Sequence, residues 1–338
     1  MTTPRPPAIA VSGLRKAFGR RTVLDGLDLT VPEGSVYALL GPNGAGKTTT
    51  VDVLSTLLPA DAGEVRIAGH DLRREPDAVR AAIALTGQFS AVDTLLTGAE
   101  NLRLMADLHH LGRAEGRRRA AELLERFDLV DAAGKPPVTY SGGMRRRLDL
   151  AMGLMARPRV VFLDEPTTGL DPRSRLGMWE FIADLVSDGT TILLTTQYLE
   201  EADRLADRMV VIDKGLVIAR GTADELKAQV GGERLELTVG TVEQLSTASE
   251  VLTPLAQAVP HRDEQTRRLS MPVTGGTETL AEALRRLSAI DVQVLDIGLR
   301  RPDLDDVFLT LTGHAAEDSA AEADPDAAPT AVSAGAPR

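Results

Sequence analysis

The sequence predicts an α/β fold, because short buried strands alternate with stretches of helical periodicity along the first two thirds of the chain. The segment 35–41 (SVYALLG) is an apolar run that leads through a glycine-rich loop into a helix from about Lys47 to Leu58. A second apolar run, VVFLDEP, precedes RLGMWEFIADLVSDG, which has helical spacing and a glycine stop. The runs TTILLTT and MVVIDKG continue the series of strands.

Other regions add elements around this alternation. Residues 9–31 alternate apolar and polar side chains, which predicts short antiparallel strands with a turn at Asp25–Gly26. Residues from about 94 to 131 have a helical pattern rich in Leu, Ala and Arg. Beyond a break at Gly231–Gly232 the pattern is strand, helix, strand, helix, strand, followed by a short helix at about 303–311. We expect this last region to form a compact βαβ-type module without chemistry of its own.

Length and composition exclude several classes of function. A chain of 338 residues suits two domains, and its 43% hydrophobic and 26% charged residues are typical of globular proteins. The net charge of −11 argues against nucleic acid as a partner, because phosphate binding relies on Lys and Arg. There is no cysteine, so neither a disulfide framework nor a thiolate metal site is possible. Residues 314–338 form an acidic, Ala/Pro-rich tail that we expect to be disordered.

The sequence also bears on location. The amino terminus, MTTPRPPAIA, lacks the charged and apolar regions of a signal peptide. No apolar run approaches the roughly 20 residues that a membrane helix needs. We therefore expect a cytosolic protein whose membrane role, if it has one, depends on a partner.

The strongest chemical signal is GPNGAGKTT, which matches G-x-x-x-x-G-K-[ST] between a predicted strand and a predicted helix. Glycines allow successive backbone N–H groups to point into one concavity, and the helix amino terminus adds positive potential. Lys47 would reach the β- and γ-phosphates of a nucleoside triphosphate, and Thr48 would ligate Mg²⁺. The predicted phosphate-loop residues are Gly41, Pro42, Asn43, Gly44, Ala45, Gly46, Lys47, Thr48 and Thr49.

An acidic pair follows the apolar run VVFL. Asp164 at the carboxyl end of this strand would bind Mg²⁺, directly or through water. Glu165 points to the other side of the strand end and could polarise the attacking water as a general base. Without the phosphate loop, the pair would be interpreted as a solvated acidic turn before Pro166.

A helical subdomain is predicted between these two motifs, because Lys47 and Asp164 are 117 residues apart. The insertion ends in YSGGMRRRL, where Ser141 is a good helix N-cap. Two glycines in the first turn weaken a helix and expose backbone N–H groups to any anion placed there.

Together these motifs resemble the ATP-binding-cassette (ABC) ATPase subunits. The phosphate loop, YSGGMRRRL, VVFLDEP and GLD (169–171) occur in that family's order and spacing, over about residues 8–221. The resemblance implies a cassette with a mixed sheet core, an antiparallel β subdomain and a helical subdomain at about 94–157. The rest of the chain then divides into a small carboxyl-terminal α+β domain at 233–313 and the tail at 314–338.

The resemblance also implies roles for single residues. In the family, two cassettes meet head to tail, and each ATP lies between one phosphate loop and the signature segment of the opposite cassette, which YSGGM (140–144) matches in this chain. By position, Ser141, Gly142 and Gly143 would bind the γ-phosphate held by the other subunit. Gln88 matches a glutamine that senses Mg²⁺ and the lytic water, and Phe18 matches an aromatic residue that stacks on adenine. Without the resemblance, Gln88 would be a loop amide and Phe18 a core side chain.

The last motif departs from the family pattern. Most cassettes have a histidine that holds the γ-phosphate, whereas this chain has Gln197 in LLTTQYLEEA. Its amide N–H can still donate to a phosphate oxygen while its carbonyl accepts from the lytic water, as in small GTPases. We predict that Gln197 is catalytic together with Glu165 and Lys47. The alternative is a strand-end amide that satisfies nearby backbone.

Two segments, TTQYLEEAD and LDDVFLTLTG (304–313), resemble actinobacterial drug exporters named for daunorubicin resistance. This implies ATP and Mg²⁺ as cofactors, with the metal near Thr48, Gln88 and Asp164. It also implies a homodimer that works beneath a separately encoded membrane permease on the cytoplasmic face and exports a drug or antibiotic. The identity of that molecule does not follow, because its binding site lies in the permease.

Two other functions stay open. A soluble ABC ATPase that acts outside transport is the main alternative, although such proteins resemble paired cassettes or carry long coiled coils, and this chain has one cassette and no heptads. A regulatory subunit that binds ATP without hydrolysing it is the second, and the presence of Glu165 argues against it.

Overall fold

The computed structural model describes residues 7–87, 91–230, 233–290, 292–300 and 303–312. Its strands are β1 (Ile9–Phe18), β2 (Arg21–Val31), β3 (Val36–Leu40), β4 (Ala62–Ile67), β5 (His70–Asp71), β6 (Ile83–Thr86), β7 (Val160–Asp164), β8 (Thr191–Thr196), β9 (Arg208–Asp213), β10 (Leu216–Gly221), β11 (Arg234–Val239), β12 (His261–Asp263), β13 (Arg268–Pro272) and β14 (Val294–Arg300). Its helices are α1 (Lys47–Leu54), α2 (Pro76–Ala82), α3 (Gly98–Leu108), α4 (Arg113–Arg126), α5 (Gly142–Gly153), α6 (Pro172–Ser187), α7 (Leu199–Leu205), α8 (Ala223–Val230), α9 (Val242–Leu252), α10 (Gly276–Ser288) and α11 (Leu304–Thr312).

The central sheet is mixed, as predicted, with the strand order β10–β9–β3–β8–β7–β6. Neighbours from β9 to β6 run parallel, whereas β10 at one edge is antiparallel to β9. Alternate residues of β3 face two cores. Ala38 and Leu40 join the helical side, and Tyr37 and Leu39 join the side of the antiparallel sheet. Burial on both faces explains why these strands are continuous apolar runs in the sequence.

A four-stranded antiparallel sheet, β2–β1–β4–β5, packs with α1 on one face of the central sheet. The predicted turn at Asp25–Gly26 is wrong, because both residues lie within β2. The pairing of β1 with β2 shifts there from Leu14 opposite Leu27 to Arg15 opposite Asp25. Gly26 has a φ of 81°, so it accommodates an extra residue as a β-bulge and the chain does not reverse.

Helix α1 is shorter than predicted. It ends at Leu54, and Thr56 has a φ of 67°, a left-handed conformation that an α-helix cannot continue. The predicted extension to Leu58 is therefore wrong, although the predicted start at Lys47 is confirmed.

Three helices of the insertion, α3, α4 and α5, pack with α6 on the other face of the central sheet. Helix α3 begins with a capping box, in which Thr97 accepts from the Glu100 backbone N–H and the Glu100 carboxylate accepts from that of Thr97. The buried side chains that hold these helices together include Leu102, Leu123, Phe127, Leu148 and Ile182.

Residues 233–300 contain a separate antiparallel sheet, β12–β13–β11–β14, covered by α9 and α10. The predicted alternation of strands and helices is confirmed. Neighbouring strands in this sheet pair antiparallel, yet β11 and β12 both oppose β13 and are therefore parallel to each other, with α9 between them in the chain. Strands β13 and β14 both oppose β11 and are joined through α10 in the same way. The βαβ-type prediction is thus confirmed, as two split βαβ units in which another strand lies between the parallel pair. The sequence did not predict the short and largely exposed strand β12. It forms an antiparallel hairpin with β13, which runs opposite to β11.

The last helix of the described residues returns to the larger core. Helix α11 packs against α8 and α7, and its buried Leu304, Val307 and Phe308 share a core with Leu226 of α8. The sequence predicted a helix here, at about 303–311, but did not predict this contact. The segment that follows the small sheet thus covers the cassette core.

Some predictions concern residues outside the described ranges. These are Gln88, the glycine break at 231–232 and the tail at 314–338. Within the part of the chain that the structure describes, no helix has the length and apolar character needed to cross a bilayer.

We predict that Phe308→Ala lowers the free energy of unfolding by about 3–5 kcal/mol, the usual cost of emptying a buried phenylalanine site. Phe308 is 5% exposed, whereas Leu309 on the same helix is 51% exposed. Leu309→Ala is therefore the matched control, with an expected change within about 0.5 kcal/mol. Denaturant unfolding followed by the fluorescence of Trp179, the single tryptophan, measures both. Equal effects of the two variants would contradict the packing of α11 on the cassette.

Candidate active site

Three neighbouring strands bring the predicted catalytic segments to one edge of the sheet. Strand β8 lies between β3 and β7, and all three are parallel. Thr196 pairs with Leu40 of β3, and Thr195 pairs with Asp164 of β7. The phosphate loop, Gln197 and Glu165 each follow directly from the carboxyl end of one of these strands. This edge is where site groups collect in open α/β sheets.

The phosphate loop has the backbone that its glycines were predicted to allow. Gly44 and Gly46 have φ values of 79° and 110°, which residues with side chains rarely adopt. A Cβ on Gly46 would also lie 2.8 Å from Leu24 Cδ2. The buried ammonium of Lys47 donates to the carbonyl of Gly41 at 2.7 Å and thus reaches across the loop. The loop ends in the amino terminus of α1, whose free N–H groups attract anions.

Asp164 and Thr48 form a pair of oxygen ligands beside this loop. Thr48 Oγ1 and Asp164 Oδ1 are 3.5 Å apart, and Asp164 is buried. Burial raises the pKa of Asp52 on α1, and the nearby charge of Asp164 raises it further. Hard oxygen donors in a region of negative potential are suited to a divalent cation such as Mg²⁺.

Glu165 has an unusual backbone conformation that its neighbours hold in place. Its φ is 49°, in the left-handed region that residues other than glycine rarely adopt. Its N–H donates to both the carbonyl and the hydroxyl oxygen of Thr195, each at 3.1 Å. The same hydroxyl donates to Asp164, so Thr195 fixes both acidic residues. Thr168 Oγ1 lies 3.3 Å from the Glu165 carboxylate and donates to it.

Arg146 of α5 links the helical insertion to this edge, and the sequence did not indicate it. Its guanidinium donates to the carbonyls of Gly87 at 2.7 Å, Pro166 at 3.0 Å and Asp164 at 3.1 Å. It also lies 3.6 Å from the buried carboxylate of Asp149. Burial lowers the pKa of Arg146, although the negative charges of Asp149, Asp164 and Glu201 oppose that shift. The guanidinium also reaches the Glu165 carbonyl at 3.4 Å. Its five N–H donors can hold all four carbonyls at once, whereas a lysine ammonium has three donors.

The signature segment begins α5, and the predicted N-cap is confirmed. Ser141 accepts a hydrogen bond from the backbone N–H of Met144 at 3.2 Å. Gly143 is packed against α6, where a Cβ would lie 2.7 Å from Ser174 Oγ. Ser174 in turn donates from both its hydroxyl and its N–H to Asp171, which lowers the pKa of that carboxyl. The signature segment and the GLD segment (169–171) therefore lie side by side.

The remaining predicted residues differ in their surroundings. Phe18 ends β1 and is 49% exposed, so it is not a core side chain. The Lys16 ammonium lies 5.6 Å from the centroid of its ring. Gln197 is half-buried at the end of β8, before α7 begins. Gln88 lies outside the described residues, three positions from Ala91, whose N–H donates to Asp149.

The comparisons with known proteins agree with this geometry. The sequence profile of the family described as ABC transporter matches residues 24–168. Daunorubicin resistance ATP-binding protein DrrA2 of Streptomyces coeruleorubidus is 53% identical, over 93% of this chain and 98% of the relative. Daunorubicin/doxorubicin resistance ATP-binding protein DrrA of Streptomyces peucetius is 48% identical, over 95% of this chain and 97% of the relative. A solved ATP-binding subunit of an ABC transporter superposes with a TM-score of 0.60 and 32% identity, over 66% of this chain and 92% of that chain.

We predict that Arg146→Met destabilises the protein by about 3 kcal/mol, because it leaves the buried Asp149 carboxylate without its cation. The loss of four carbonyl contacts adds to this effect. Arg117→Met is the control, since Arg117 is exposed on α4 and the change should stay within about 0.5 kcal/mol. Denaturant unfolding followed by Trp179 fluorescence measures the difference. Arg146→Lys should recover only part of the loss, and full recovery would contradict the need for a forked donor.

Proposed function

The chain belongs to the ABC transporter ATP-binding proteins, an ATPase family, and on that premise we propose that it drives export of a small molecule through a separate membrane permease. Its relatives are named for resistance to daunorubicin and doxorubicin. An amphipathic drug or antibiotic is the class of molecule that we propose for this chain. The observation that carries the catalytic part is the arrangement of Lys47, Asp164, Glu165 and Gln197 along three adjacent strand ends.

The proposed substrate is Mg²⁺–ATP. The phosphate loop 41–49 would bind the phosphates through its N–H groups and Lys47. Thr48 and Asp164 would hold Mg²⁺, which would neutralise charge on the transferred phosphoryl group. We extend this metal role to Gln88 from its motif. Phe18 would stack on adenine, since its ring is exposed at the end of β1.

We assign the chemical step to Glu165 and Gln197. Glu165 would orient and deprotonate the attacking water. Its backbone N–H donates to Thr195 and its carboxylate accepts from Thr168, and these hydrogen bonds hold both in one arrangement. Gln197 would donate its amide N–H to a phosphate oxygen and accept from the water with its carbonyl. Neither role requires Gln197 to titrate, because Glu165 supplies the base.

A homodimer would complete each site. Ser141, Gly142 and Gly143 are proposed to bind the γ-phosphate held by the opposite subunit. The segment 141–143 lies beside the GLD segment, and together they offer one continuous surface to a second copy. ATP binding would close the dimer, and hydrolysis would reopen it. Contact with the permease would place the chain on the cytoplasmic face of the membrane.

The alternative is an ABC ATPase that acts outside transport. The drug-resistance relatives, which match nearly the whole chain, favour export. Inverted membrane vesicles that contain the chain together with a co-expressed candidate permease separate the two functions. With daunorubicin fluorescence as the probe, export requires uptake that depends on ATP and on Glu165. Hydrolysis without any uptake would favour the alternative.

We predict that Glu165→Gln binds Mg²⁺–ATP with nearly the parent affinity but does not hydrolyse it, since the amide keeps the shape of the base and cannot accept a proton. ATP should then accumulate and stabilise a dimer. Binding of a fluorescent ATP analogue, phosphate release and light scattering measure these three effects. Lys47→Ala is the contrasting control, in which both affinity and hydrolysis are lost. A Glu165→Gln protein that hydrolyses ATP normally, or stays monomeric with ATP and Mg²⁺, would contradict the assignment of Glu165 as the base.

We predict that Gln197→Ala lowers kcat by about 10²–10³-fold, the usual effect of removing one positioned donor at a developing charge. The affinity for ATP should change much less. Gln197→His should retain activity, because an imidazole can also donate to the phosphate. Steady-state hydrolysis with the permease present gives kcat for each variant. If Gln197→Ala stays within about threefold of the parent, Gln197 is a strand-end amide without a catalytic role.

A further inference from the structure

Glu201 is a buried acid that the roles above do not use. It lies on α7, shortly after Gln197, and is 0% exposed. Its Oε1 accepts hydrogen bonds from Thr167 Oγ1 at 2.9 Å and from Trp179 Nε1 at 3.1 Å. Burial raises the pKa of Glu201, and the side-chain hydrogen bonds oppose that shift. Burial of a carboxyl group is costly, so its position calls for an explanation.

These two hydrogen bonds join three elements of the catalytic edge. Thr167 lies in the loop that connects Glu165 to the GLD segment, and Trp179 lies on α6, which starts directly after that segment. Glu201 lies on the helix that follows Gln197. A single carboxylate oxygen therefore connects the loop after the proposed base to the helix after the proposed water-orienting glutamine.

An aromatic and guanidinium cluster surrounds this link. The Arg175 guanidinium lies 5.9 Å from the ring centroids of both Trp179 and Tyr198, and Tyr198 is the residue after Gln197. Arg204 covers the Trp179 ring at 5.1 Å. Residues of α6 and α7 are thus packed together next to Tyr198, the residue that links Gln197 to α7. This packing excludes water from the Glu201 carboxylate and strengthens its hydrogen bonds.

We propose that Glu201 is a positioning residue that sets the separation between Glu165 and Gln197 during hydrolysis. This inference rests on the catalytic roles proposed above for those two residues. Two donors to Glu201 are Thr167 and Trp179, and a side-chain hydrogen bond with Thr196, which precedes Gln197 at the end of β8, also lowers the pKa of Glu201. The effect of Glu201 is therefore carried through the loop and the helix. Both donors are neutral, so the link requires an acceptor oxygen and does not require a negative charge.

The experiment compares the full-length parent with four variants. Glu201→Ala removes the acceptor, Thr167→Val removes one donor at almost constant volume, and Glu201→Gln keeps an acceptor oxygen. Glu200→Ala, at the exposed neighbouring position, is the matched control. Steady-state hydrolysis gives kcat, and titration with a fluorescent ATP analogue gives Kd and the number of binding sites per chain.

We expect kcat to fall about tenfold in Glu201→Ala and about three- to tenfold in Thr167→Val, as the loss of one or two such hydrogen bonds predicts. Glu201→Gln and Glu200→Ala should stay within about threefold of the parent. The Kd for the ATP analogue and the number of binding sites should be unchanged in all four variants. This separation of kcat from binding is the sign of positioning.

Several results would overturn the inference. One is a parent-like kcat in Thr167→Val, which is conservative enough to fold. Another is a number of binding sites that falls in proportion to kcat, because Glu201 would then only support the fold. A third is Glu201→Gln as inactive as Glu201→Ala, since the charge would then be required. Glu165→Gln and Gln197→Ala are measured in parallel. If these two stay active, the proposed function fails, whereas if only the Glu201 and Thr167 variants stay active, this inference alone fails.

Discussion

The arrangement of the catalytic edge depends on the hydrogen bonds of the Thr195 hydroxyl. This hydroxyl donates to the Asp164 carboxylate and accepts from the N–H of Glu165, so one side chain fixes the metal-binding candidate and the base candidate together. It can do so because β8 lies between β3 and β7 in parallel register. The left-handed backbone of Glu165 costs on the order of 1–3 kcal/mol, which these hydrogen bonds help to offset. If β8 were displaced, both acidic residues would lose their orientation.

Two ionisable side chains, one half-buried and one buried, extend this constraint to the surrounding helices. Arg146 reaches from α5 to the carbonyls at the end of β7, and Glu201 reaches from α7 to Thr167. The guanidinium acts only as a donor and the carboxylate acts as an acceptor, so each can satisfy several neutral groups at once. The loop from Asp164 to Thr167 is thereby held from two sides. Motion of either helix would be transmitted to the residues that surround the attacking water.

Much of the fold and of the site was predictable from sequence, for a physical reason. A phosphate site needs consecutive backbone N–H groups, so the loop 41–49 can be recognised as a local pattern in the sequence. Strands that are buried on both faces can be recognised as continuous apolar runs. Thr195, Arg146 and Glu201 were missed because each acts on residues far away in the chain, and no spacing rule indicates such contacts. The bulge at Gly26 was interpreted as a turn because both need the same positive φ. Strand β12 was missed because its three residues are polar and lack the alternation of a strand.

The position of α11 has a consequence for the order in which the protein forms during synthesis. Domains generally fold as units, beginning with those made first. The cassette core includes Leu226 and Met209, yet it also includes Leu304, Val307 and Phe308, which leave the ribosome only after the whole small sheet. Until then, the nascent cassette carries an uncovered apolar surface over α7 and α8. The newly made chain therefore passes through an interval in which chaperones or aggregation compete for the surface that α11 will cover.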